Sequence, residues 1–205
     1  MLEGFTLRHL LAADKPGTIK SGGDAYNNLK TFAQRHAQKY ESEGLARSYV
    51  LVDNERGCLA ASMTMVCSEV TSERENPPMQ ADGLAYPYLQ WPSVKISRLM
   101  VDARYRRDGT RWKDECRLGE TLVMFAIGRA LAQVCPTVGC RFIVVDSHRE
   151  AVGFYTKLGF SLLDTAENRG RPEPIMFLDI HRASDATDDV AVSANDSDGR
   201  EETAA

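Results

Sequence analysis

The chain has 205 residues, 43% of them hydrophobic and 26% charged, with a formal net charge of −4. That is ordinary globular composition, long enough to close one sizeable core, and no apolar run approaches the roughly 20 residues of a membrane-spanning helix. The five cysteines form no C-x-x-C pair and the Met1 end lacks a signal-peptide pattern, so a reducing, cytoplasmic setting without a membrane is expected.

The charge is unevenly spread. Residues 183–205 carry five Asp, two Glu and one Arg, a net −6, which leaves about +2 for residues 1–182. With only Val190 and Val192 as branched apolar side chains, 183–205 reads as a disordered acidic tail behind a single domain spanning 1–182.

In chain order, residues 5–10 read as a first strand. From Asp24, an N-cap residue, apolar side chains recur as Tyr26, Leu29, Phe32, Ala33, His36, Ala37 and Tyr40 up to Gly44. This is the one-face spacing of a single helix, with His36 on the packed side. Residues 48–53 read as a strand, 54–57 as a turn, and 59–67 alternate, which predicts a β-hairpin. Residues 68–93 hold Pro77, Pro78, Gly83, Pro87 and Pro92 and predict a long surface loop, followed by a strand over 94–101. Leu118, Leu122, Val123, Ala126, Ile127, Ala130, Leu131 and Val134 lay out a strong amphipathic helix. After it come a buried strand over 142–145, a short helix over 149–158 closed by Gly159, and strands over 160–163 and 175–180. Antiparallel strands first and strand-helix alternation afterwards imply an α/β domain around a mixed sheet.

Two stretches go beyond that pattern. The first is Arg98-Leu99-Met100-Val101-Asp102, then Arg104-Tyr105-Arg106-Arg107-Asp108-Gly109 and, after an interruption, Leu118-Gly119-Glu120 at the head of the strong helix. A glycine-bearing loop between strand and helix points amide N–H groups and the positive helix end at one spot, where a pyrophosphate would bind. Arg106 and Arg107 add charge-assisted donors. The second stretch is Phe154-Tyr155-Thr156-Lys157-Leu158-Gly159-Phe160. No His, Cys, Asp or Glu grouping has metal-site spacing, and no general base stands out among the histidines.

Together these stretches resemble the GNAT superfamily of N-acetyltransferases, in which a strand leads into an R/Q-x-x-G-x-G/A loop and helix, with an F-Y-x-x-x-G-F segment later. Arg106 to Gly109 fit R-x-x-G, but the last small residue is reached only at Gly119, so roughly eight extra residues lie within 110–118. The resemblance implies a GNAT-like mixed, mostly antiparallel sheet flanked by helices, with acetyl-CoA as cosubstrate and no metal. It implies that the main chain of Leu99, Met100 and Val101 bonds the pantetheine arm. It places Arg106, Arg107, Gly109, Gly119 and Glu120 around the pyrophosphate, Ser147 or His148 on pantetheine, and Tyr155 as the acid that protonates the departing thiolate.

Within the superfamily, residues 29–37, 45–53, Tyr86-Pro87 and 139–146 are most similar to the acetyltransferase toxins of type II toxin-antitoxin modules. That likeness implies transfer of acetyl to the amino group of aminoacyl-tRNA, blocking translation. Its implied partners are aminoacyl-tRNA, a cognate antitoxin and a second copy of the chain. An α-amino group, with a pKa of about 7.7–8.0 that esterification lowers further, needs no dedicated base. Lys20, Lys30, Arg35, Lys39 and Arg47 are among the cations available for RNA phosphates. Two rival readings share much of this pattern. One is a GNAT enzyme acting on a small amine or protein N-terminus; the other is a catalytically weak GNAT-like binding module, which the interrupted loop favours.

Overall fold

Branched and aromatic residues at alternate positions give the residues that the structure describes seven strands, joined in one sheet. The computed structural model describes residues 2–20, 22–23, 26–71, 89–105 and 117–181. Asp24, Tyr86-Pro87, Arg106, Arg107, Gly109, most of the 110–118 insert and the acidic tail lie outside the described residues.

The strands are β1 (Phe5–His9), β2 (Arg47–Asp53), β3 (Cys58–Thr71), β4 (Gln90–Val101), β5 (Phe142–Asp146), β6 (Ser161–Leu162) and β7 (Ile175–Asp179). Their order in the sheet is β1-β2-β3-β4-β5-β7-β6, and every neighbouring pair is antiparallel except β4 with β5. The helices are α1 (Asn27–Arg35), α2 (Ala37–Ser42), α3 (Leu118–Arg129), α4 (Cys135–Val138), α5 (Val152–Lys157) and α6 (Ala166–Arg169). This is the expected mixed, mostly antiparallel α/β sheet between helices.

Three local expectations change. The single helix from residue 24 to 44 is two helices, broken at His36, whose φ of −123° leaves the helical region. The break turns His36 outward, and Ala33 and Ala37 are the buried positions. The long loop is shorter than 68–93, because Ser68 to Thr71 pair with Ser93 back to Gln90 and lengthen the hairpin. Burial explains that extension: Val70 and Trp91 pack with Phe142, Val144 and Leu163, and the Trp91 and Phe142 rings meet edge-on at 5.8 Å. The strong helix does not stop at Val134. A π-helical turn over Ala130–Val134 carries α3 into α4, giving an apolar run over Leu118–Val138 with a mean hydropathy of 1.4. Contrary to the expectation that no apolar run approaches that length, this one is long and apolar enough to cross a membrane by length and composition, yet Leu122, Val123, Ala126, Ile127 and Ala130 are committed to the sheet.

The sheet is thus covered on both faces. α3 lies on the main core with Leu51, Met63, Ile96, Ile143 and Val145, while α1 and α2 close a smaller core with Ile19, Val50, Leu59 and Met100. Two buried carboxylates fasten the loops at one end. Asp102 accepts from the Lys20 N–H at 3.0 Å, the Arg104 N–H at 2.9 Å and the Arg104 guanidinium at 2.8 Å. Asp53 accepts from the Tyr105 hydroxyl at 2.7 Å and from Arg56 at 3.0 Å. Burial works against both charges, and these donors outweigh it, holding both carboxyls below the usual range.

Because the folded pKa values are depressed, the stabilisation they bring is fully present above the unfolded value and is lost progressively as pH falls from there through the folded one. The urea midpoint should therefore stay level between about pH 7 and 5 and decline below about pH 4. Asp102→Asn should lower stability at neutral pH by about 1–3 kcal/mol and flatten part of that acid decline.

Candidate functional site

β4 carries the geometry from which the site follows. Its pairing with β5 runs from Ser93 opposite Phe142 to Ile96 opposite Val145 and then ends, although β4 continues to Val101. On its other edge the register with β3 slips between Thr64 and Met65, leaving Ser97 as one extra residue, a β-bulge. Past the bulge, 98–101 remain paired with β3, and no strand covers their second edge among the described residues. Backbone N–H and C=O groups on that edge are available to an extended, amide-bearing ligand, much as to an added strand. Leu99, Met100 and Val101, expected to bond pantetheine, occupy this edge.

The start of α3 stands at the end of the same edge. A Cβ built on Gly119 would lie 3.4 Å from Phe154 and 3.6 Å from Val101. Glycine here lets the helix approach β4 and α5 closely. Arg117 at the N-cap makes no side-chain cap, and the dipole of this 12-residue helix turns its first-turn amides toward negative charge. The Glu120 carboxylate faces Arg117 at 3.3 Å, which leaves its main chain as the part suited to an anion.

α5 presents Tyr155. The helix closes where Gly159 takes φ +87°, with the Phe160 N–H donating to the Tyr155 carbonyl at 3.1 Å. This turn folds Phe160 back against Tyr155 at 5.4 Å, while Phe154 flanks it at 5.0 Å. Burial pushes the Tyr155 phenol up to about 12, so the proton stays on the oxygen throughout the neutral range.

The end of β5 closes the mouth from the opposite side. Ser147 is fully buried, its Oγ donating to the His148 carbonyl at 2.9 Å. His148 stacks beside Tyr26 at 5.4 Å, the Tyr26 hydroxyl reaches Glu150 at 3.2 Å, and the buried His148 Nδ1 has no partner among the described residues. Periodicity gave no sign of this Tyr26 and His148 pairing, which joins residues 122 positions apart only through tertiary folding. Of the cations named above, Arg47 is ion-paired with Glu41, whereas Lys30, Arg35 and Lys39 stand exposed on α1 and α2.

Neither a family description nor a curated relative matches the chain. Solved structures do. The toxin AtaT complexed with acetyl-methionyl-tRNAfMet superposes with a TM-score of 0.69 at 24% identity, over 88% of this chain and 97% of that one. This chain has a GNAT-like fold. A tyrosine-to-phenylalanine mutant of KacT gives a TM-score of 0.69 at 23% identity, over 90% of this chain and 99% of that one. A tyrosine-to-phenylalanine mutant of AtaT, bound to the C-terminus of the antitoxin AtaR and acetyl-CoA, gives 0.64 at 22%, over 88% and 96%.

The enclosed Ser147 hydroxyl generates a simple expectation. Ser147→Ala should cost about 0.5–1.5 kcal/mol in a denaturant melt, the scale of one internal hydrogen bond.

Proposed function

We propose that the protein is an acetyl-CoA-dependent N-acetyltransferase acting on the amino group of aminoacyl-tRNA, and so a translation-blocking toxin. The observation that carries the reading is the convergence at one end of the sheet. Beyond its bulge the second edge of β4 meets the start of α3, where Gly119 approaches Val101 and Phe154, and Tyr155 follows Phe154 on α5. The AtaT structures with acetyl-CoA and with acetyl-methionyl-tRNA support the choice of donor and acceptor.

The described residues fit the coenzyme's parts. The 98–101 edge suits the amides of a pantetheine arm, and the first turn of α3 suits a pyrophosphate, with Arg106, Arg107 and Gly109 assigned to the same phosphates. Bound there, acetyl-CoA would supply the acetyl thioester for transfer from sulfur to nitrogen. Tyr155 Oη holds the proton required by the departing sulfur, and burial keeps it protonated at the pH where an amine is partly neutral. The attacking amine loses its own proton to water, so no side chain is asked to act as base. Ser147 in this scheme positions the end of β5 instead of touching the coenzyme.

Tyr155→Phe is expected to retain acetyl-CoA affinity while slowing transfer by roughly 10²-fold or more, measured as thiol release. Unchanged turnover would remove Tyr155 from the chemistry. With labelled acetyl-CoA, charged tRNA should be labelled and deacylated tRNA should not, and the signal should fall steeply with salt as phosphate contacts release counterions. Lys30→Gln, Arg35→Gln and Lys39→Gln should lower labelling and reduce that salt slope without altering coenzyme affinity. Labelling of a small amine or peptide in place of charged tRNA would favour the generic acetyltransferase.

A further inference from the structure

The long apolar run of α3 and α4 ends in Cys135-Pro136-Thr137-Val138-Gly139-Cys140, and its manner of ending brings two thiols together. Gly139 takes φ +81°, the left-handed conformation open to glycine, and its N–H donates to the Cys135 carbonyl at 3.1 Å. A helix closed in this way folds the residue after the glycine back over the last turn, where its side chain meets the one five positions earlier. Here those positions are Cys140 and Cys135. The Cys135 Sγ donates to the Cys140 carbonyl at 3.1 Å, the Cys140 Sγ to the Phe142 carbonyl at 3.3 Å, and the two thiols stand within hydrogen-bonding reach of each other.

An apolar pair commonly fills this place, and cysteine can serve there as a small hydrophobe. Two free thiols add a chemistry that valine or leucine lacks. Their surroundings also divide the labour. Cys140 is 6% exposed and belongs to the main core, whereas Cys135 is only half-buried. Burial raises both thiols, Cys140 to about 11; working against burial, a Cys140 S–H turned toward Cys135 favours a thiolate there and keeps the proton on Cys140. Cys135 is thus the sulfur that a solute meets first, and Cys140 is the neighbour behind it.

We propose that Cys135 and Cys140 form a reversible oxidation site, a dithiol that closes to a disulfide under a peroxide and reopens with a thiol reductant. The Cys135 thiolate attacks one peroxide oxygen, the O–O bond breaks, and the departing oxygen takes a proton and leaves as water, giving a sulfenic acid. The Cys140 sulfur then attacks the Cys135 sulfur, its proton passing to the departing hydroxyl. An S–S bond forms, the S–O bond breaks and a second water leaves. Two thiols have lost two electrons, and one peroxide has become two waters. Reopening takes two molecules of free thiol, which leave as their own disulfide.

Closure ties the end of α4 to the head of β5 and removes both S–H donors. The Cys140 carbonyl, which loses one of them, also lies 3.3 Å from His181 Nε2, so that ring reports the change. The inference does not depend on the acetyltransferase reading.

Trypsin cuts after Arg129 and Arg141, which leaves both cysteines on one peptide spanning 130–141. Folded protein is treated with hydrogen peroxide at about pH 8, where more thiolate is present, and then alkylated with N-ethylmaleimide. The peptide should be found two hydrogen atoms lighter and unalkylated, and prior incubation with glutathione should return it to the doubly alkylated form. In the intact protein the His181 imidazole resonances should move on oxidation and return on reduction, a readout that needs no variant. Cys140→Ser should stop the reaction at a Cys135 sulfenic acid, trapped by dimedone, and Cys135→Ser should leave Cys140 as a thiol. A doubly alkylated 130–141 peptide at peroxide doses that oxidise the exposed Cys67 would overturn the proposal. So would a link from either cysteine to Cys67 or Cys58, or closure seen only after unfolding in urea.

Discussion

One strand has to satisfy two neighbours of different kinds. β4 follows β3 along its whole length but meets β5 for four residues only, and the extra residue at Ser97 marks the change. A bulge bends its strand and increases local twist, so a strand that stays with β3 cannot also stay with β5. The divergence leaves backbone donors and acceptors on 98–101 without a strand to receive them among the described residues. Such groups need a partner, and the mouth between the two strands is the consequence.

The elements around the mouth are fastened to that divergence. Asp102, at the end of β4, gathers the Lys20 amide and the Arg104 side chain, so the loop that begins there starts from a fixed point. Gly119 lets α3 come in against Val101 and Phe154, and the positive φ at Gly159 sends Phe160 back to enclose Tyr155. Each contact is ordinary packing on its own. Their joint effect is to bring the start of α3 and helix α5 against the end of one strand.

Helix α3 links two regions with separate electrostatics. Its first turn stands beside Val101, while its far end, through the π-helical turn, puts Arg129 and Gln133 on the wall of a cavity of about 330 Å³ with His9, Tyr49 and Met65. The apolar face between them, Leu122 through Ala130, belongs to the main core. A rigid element of this length can hold two such ends apart because the core fixes its middle.

The sequence alone determined the strand alternation, the apolar stripe of α3 and the aromatic segment around Tyr155, because period and local turn chemistry are properties of neighbouring residues. The same locality explains its errors: His36 fitted the stripe but faces solvent, and Gln90 to Ser93 looked like loop until Trp91 found Phe142. Only tertiary structure decided that Ser97 is a bulge, that no described strand covers the second edge of 98–101, and that Ser147 is enclosed by its own carbonyl partners. It alone put Tyr26 beside His148 and Arg129 over Tyr49. Register and burial depend on which distant residues share a surface, and no spacing along the chain encodes that choice.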